Sequence, residues 1–164
     1  VDSTAENAPG QDAVTDAEID ARLAERGPVP YPGIWHAPPF TDRTVHDVRY
    51  AVVAFDLGLS ALGVRRDDGT LWIVPADGEP DQVNSSLDAF VACTRAYEQS
   101  RAEADAYEGP DDDSDEADDL AEQAADALTD ALLERLAEID AVAVAEENSF
   151  WSVAAEELGY GMSA

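Results

Sequence analysis

"TLWIVPADGEPDQVNSSLDAFVACTRAYEQ", residues 70–99, contains the change of periodicity on which the fold turns. Its first part, "TLWIVPA" (70–76), reads as a strand. Leu71-Trp72-Ile73-Val74 does not alternate, so the strand is expected to be covered on both faces. Asn84-Ser85-Ser86 then opens a long helix. Ser85 is the expected cap, with Asp88 three residues on. Leu87, Phe90, Val91, Thr94 and Tyr97 fall at i, i+3, i+4, i+7 and i+10, which is one helical face. Cys93, the sole cysteine, lies in this helix and reads as a buried, inert thiol.

Upstream, "VRYAVVAFDL" (48–57) and "SALGVRR" (60–66) are two more strands, with Gly58 breaking the first. Asp67-Asp68-Gly69-Thr70 is a hairpin turn leading into the third, since Asp-Gly between apolar runs favours a tight reversal. The three make an antiparallel meander. Residues 27–40, "GPVPYPGIWHAPPF", hold five of the nine prolines and admit neither helix nor central strand. Tyr31, Ile34, Trp35 and Phe40 are expected to wrap this loop onto the core, with contact to a partner as the alternative for its aromatics. Before it, "TDAEIDARLAERG" is a short helix from Thr15, with Glu18 completing a capping box. Ile19 and Leu23 form its stripe and Gly27-Pro28 ends it. Residues 1–13 are small and polar and read as a disordered tail.

Downstream, the helix from Ser85 passes into "EQSRAEADAYE" and is expected to stop at Gly109-Pro110. Leu120, Ala124, Leu128, Leu132, Leu136 and Ile139 line one side of another long helix. A last helix begins near Asn148, with Trp151, Ala154 and Leu158 inward and Gly159 or Gly161 as its end. The sum is an α+β chain, a small antiparallel sheet with flanking helices.

The charge is extreme, with 9 basic and 37 acidic residues and a net charge of −28. All nine bases are arginine, so a P-loop or a lysine Schiff base is excluded. Nucleic acid and anionic membrane surfaces would be repelled. No apolar run approaches the ~20 residues of a membrane helix. The N-terminus lacks the basic flank and apolar run of a secretory signal, so the expected setting is the cytoplasm. Residues 101–150 alone carry 18 acids and 2 bases. An uneven distribution of this kind favours a local role or a locally disordered segment in the acidic connector, residues 103–119, over uniform salt adaptation.

Within that connector, Asp111, Asp113, Asp115, Asp119 and Glu122 fall at the first, third, fifth, ninth and twelfth places of a calcium-loop spacing. Glu116 stands where such a loop needs glycine, Asp118 where it needs an apolar residue, and Gly109-Pro110 interrupts the incoming helix. No metal site is therefore assigned. His36 and His46 with one cysteine do not make a zinc set, and "GLSAL" (58–62) lacks the second glycine of a nucleophile elbow. No catalytic residue or cofactor is expected. The partner-binding candidates are Glu103, Asp105, Glu108, Asp111, Asp112, Asp113, Asp115 and Glu116, with Trp35 from the Pro-rich loop.

Val83-Asn84-Ser85-Ser86-Leu87 and Phe90, with the preceding "DDGTLWIVPADGEPDQ", "ALLERLAEID" (131–140) and Phe150-Trp151, occur in an order that resembles the SUKH superfamily, group four. These are bacterial immunity proteins common in actinobacteria, and the likeness covers residues 48–160. It implies a single SUKH-like α+β domain, residues 14–164 here, without catalytic residues. It also implies function by binding, as an antitoxin that neutralises a cognate toxin of the nuclease or deaminase class. The acidity adds that this toxin is basic. Two other readings stay open from the residues themselves. One is a regulatory protein-binding module on the same fold; the other is a salt-adapted acidic protein with a calcium loop.

Overall fold

Val48–Asp56 forms the longest strand, β3, and organises the sheet around it. The computed structural model describes residues 14–27, 34–56, 60–109 and 114–163. The expected tail, Gly58, Tyr31 and Asp111 to Asp113 lie outside the described residues. β3 pairs antiparallel with β4 (Ser60–Arg65), and β4 with β5 (Leu71–Pro75). This is the expected meander. Gly69 supplies the turn, at φ 77°, where a side chain would be strained. The Asp68 carboxylate accepts from the Thr70 N–H at 3.0 Å. Leu71 and Val74 are both fully buried although they point to opposite faces of β5, as a non-alternating run requires.

Three strands were not foreseen. β1 (Ile34–Trp35) and β2 (Asp42–Val45) both pair along the free side of β3, and β6 (Asp81–Asn84) pairs with β5. All three are short and lie at the sheet margins. "DRTV" and "DQVN" each carry one apolar residue, too few to read as a strand. β1 is consistent with the exclusion of a central strand from the Pro-rich segment. The sheet order is β1-β3-β4-β5-β6, with β2 also on β3.

Helix α1 (Asp16–Leu23) has the expected cap at Thr15 and the reciprocal Glu18 bond, and it buries Ile19 and Leu23. Arg66, itself buried, pairs with Asp16 at 2.6 Å and Asp42 at 2.9 Å, tying α1 to the sheet. Helix α2 (Leu87–Asp105) corrects the cap by one residue. Ser86 is the N-cap, accepting from the Ala89 N–H at 3.0 Å. Ser85 is used elsewhere, and Asp88 pairs with Arg22. α2 also ends at Asp105, before Gly109-Pro110.

Helix α3 (Asp115–Ile139) buries Ala117, Ala125, Leu132 and Leu136. Leu120, expected inward, is 41% exposed. Helix α4 (Phe150–Ser163) runs through Gly159 and Gly161 instead of ending there. A Cβ at Gly159 would overlap the Thr129 hydroxyl and sit 3.2 Å from the Ala125 carbonyl oxygen. Glycine here permits close helix approach over small residues. Trp151, fully buried, packs at 6.0 Å from Phe90 and 6.2 Å from Tyr97. One core joins the helices to one face of the sheet.

Candidate functional site

Acidic residues occupy both helix ends that flank the connector. Glu103 and Asp105 lie on the last turns of α2, Glu108 just beyond it, and Asp115 and Glu116 in the first turn of α3; all five are exposed. Asp111, Asp112 and Asp113 lie outside the described residues. The two ends differ electrostatically. Asp115 and Glu116 meet the positive end of the α3 dipole, and Ser114 caps it by accepting from the Ala117 N–H at 3.1 Å. Glu103 and Asp105 sit at the negative end of α2, whose last turn has no base. Acids there are unfavourable by about 0.3–1 kcal/mol each, so they do not serve the stability of α2. Because Asp115, Glu116, Asp118, Asp119 and Glu122 are all helical, they cannot form the second half of a calcium loop.

Trp35 stands apart from this acidic region. Its ring is half-buried, 6.3 Å from Phe90, with the Arg26 guanidinium 3.9 Å above it. Trp35 and Phe40 thus pack the loop onto the core as expected, whereas Ile34, also expected inward, is 41% exposed.

A groove that the sequence did not reveal runs between α3 and α4. It encloses about 560 Å3 and is lined by Asp118, Glu122 and Asp126 on α3 and by Glu156 and Tyr160 on α4, over a floor of Ala125, Thr129 and Gly159. No base lines it, and Tyr160 is 71% exposed. Asp118, Glu122 and Asp126 follow an i, i+4, i+8 spacing that was legible. The wall from α4 was not, because Gly159 reads as a helix end. The one base beyond Arg101, Arg135, donates to the Gln99 amide oxygen at 2.8 Å. This side of the molecule therefore presents negative charge suited to attracting a basic surface.

The histidines are separated. His36 meets the Phe55 ring edge-on, and His46 lies in the β2–β3 turn at 3.0 Å from Glu79. Among the described residues, no three His, Cys, Asp or Glu side chains are arranged to hold a metal. No helix there is long and apolar enough to cross a membrane. Cys93 is fully buried, and burial pushes its thiol up to about 12.

The quoted signature residues meet at one buried carboxylate. Asp140, 8% exposed, accepts from the Ser85 N–H at 2.8 Å, the Ser85 hydroxyl at 3.0 Å, the Asn84 amide at 3.0 Å and the Val142 N–H at 3.4 Å. Asn84 in turn accepts from the Trp151 indole at 2.8 Å. Burial works against the Asp140 charge. The bonds from Ser85 and Asn84 outweigh it and hold the carboxyl below its ordinary value. Strand β6, the start of α2, the end of α3 and the start of α4 are thereby joined. This network organises the fold, with Asn84 and Asp140 buried and Ser85 exposed at its edge.

A family model described as SUKH-4 immunity protein matches residues 11–157. No curated protein and no solved structure matches the chain.

Proposed function

The chain belongs to the SUKH-4 immunity protein family, and from that premise we propose that it binds and neutralises a cognate bacterial toxin of the nuclease or deaminase class. The observation that carries this reading is the family match across residues 11–157. The acidic surface supports the nature of the partner. Toxins that act on nucleic acid carry a basic surface for its phosphates. An inhibitor of net charge −28 is drawn to that surface, which raises the association rate. The contact residues in this reading are Glu103, Asp105, Glu108, Asp111, Asp112, Asp113, Asp115 and Glu116, with Trp35 on β1 as a separate aromatic candidate. The protein acts in the cytoplasm by occlusion, without catalysis, cofactor or metal.

The test uses the purified chain and the toxin domain encoded beside it. Adding the chain should abolish the toxin's activity at one equivalent, with association slowing as salt is raised. Undiminished toxin activity at several equivalents would overturn the reading and favour a regulatory module for some other protein.

A further inference from the structure

A second cleft, of about 470 Å3, opens between the marginal strand β6 and the segment that enters α4. Its character differs from that of the acidic groove. Ile73, Val142 and Phe150 give it an apolar wall, all three only partly covered by the rest of the chain. Asp81 and Glu146, both exposed, stand on its rim beside Asn148. Neither carboxylate has an ion-pair partner among the described residues. All nine bases are arginine; eight are engaged elsewhere and the ninth, Arg101, does not line the cleft. Arg22, Arg49, Arg65 and Arg66 hold aspartates. Arg26, Arg43 and Arg95 donate to backbone carbonyls, and Arg135 donates to Gln99.

We infer that this cleft receives a lysine or arginine side chain from the partner protein, its aliphatic stem on Ile73, Val142 and Phe150 and its charged head between Asp81 and Glu146. The inference rests on the immunity reading for the partner's identity. A long cationic side chain is the one type that uses both parts of the cleft, because it buries its methylenes while its head stays at the polar rim. An anionic or purely apolar side chain uses one part at most. The division of labour also follows from the geometry. Exposed charges on α3 and α4 steer encounter and are worth little once bound. A recess with apolar walls removes contact area from water, which is where a bound complex gains its lifetime.

Two measurements test this. The first is the kinetics of binding to the neighbouring toxin domain, comparing Asp81→Asn/Glu146→Gln with Asp118→Asn/Glu122→Gln as the control pair. The cleft pair should speed dissociation by roughly 5-fold with little change in association. The control pair should slow association and leave dissociation alone. Equal dissociation rates for the cleft pair and the wild type would overturn the inference while leaving the immunity reading intact. The second needs no toxin. Butylguanidinium, titrated into the labelled protein, should give saturable shifts of the Asp81, Gln82 and Asn148 amides. Guanidinium, which lacks the stem, should bind there more weakly, and the cleft pair should abolish the response. Shifts of equal size for both cations, or none at these amides, would overturn the inference. Failure of the wild type to bind the toxin would sink the immunity reading alone, and the titration would still decide the cleft.

Discussion

Asp140→Ala is the substitution whose cost is best defined by the geometry. It removes the acceptor for the Ser85 N–H, the Ser85 hydroxyl and the Asn84 amide, each within 3.0 Å. Asn84 is fully buried, and a buried donor left without a partner costs about 1–3 kcal/mol. The Ser85 hydroxyl can rotate to water, so two donors carry the loss. The expected destabilisation is about 3–4 kcal/mol, a large share of the ~5–15 kcal/mol typical of a domain. Asp140→Asn should cost less, about 1–2 kcal/mol. Its amide oxygen can still face the Ser85 N–H and Asn84, while its NH2 donates to the Ser85 hydroxyl oxygen. Urea unfolding followed by tryptophan fluorescence gives both values. The pH dependence carries a second signature. Because the folded carboxyl lies below its ordinary value of 3.8, its contribution is complete above that value and is lost as pH falls through the folded pKa. The stability gap between wild type and Asp140→Asn should therefore narrow in acid. If both variants cost under about 0.5 kcal/mol, or if Asn is as damaging as Ala, the carboxylate does not organise the junction as described.

Gly159→Ala should destabilise by about 1–3 kcal/mol through overlap with Thr129, and Thr129→Ala should restore part of the loss; a higher melting temperature for Gly159→Ala alone would refute the close helix approach. Ser86→Ala should cost about 1 kcal/mol and Ser86→Asp close to nothing, since Asp caps equally well; chemical denaturation measures both, and no loss with Ala would return the cap to Ser85. Cys93 should resist a thiol reagent in the folded protein at neutral pH and react after unfolding, because its thiolate is scarce with the thiol pushed up to about 12; rapid labelling of the native state would contradict its burial.

What the sequence revealed and what it hid follow from where each signal is stored. β3, β4 and β5 were legible because apolar runs and the Asp67–Thr70 turn are local signals. β2 and β6 were not, because each has four residues with a single apolar side chain, too few to show a period. The cap was displaced by one residue because Ser85 and Ser86 are chemically equivalent until Asp140, far along the chain, claims Ser85. The acidity of residues 103–122 was plain. Its arrangement into a groove was hidden, since that depended on α4 continuing through a glycine placed for packing. Spacing alone suggested a calcium loop, and the helical start of α3 at Asp115 removes it. The cleft at β6 had no sequence signal, because its wall and rim come from three separate segments.

The central claim, protection by binding, is tested most directly in cells expressing the toxin domain encoded beside this chain. Growth is scored with and without the chain, and the two proteins are then purified through a tag on one of them. Restored growth with both proteins recovered together is the predicted result. Arrested growth despite abundant soluble chain, with no toxin recovered on it, would contradict the account.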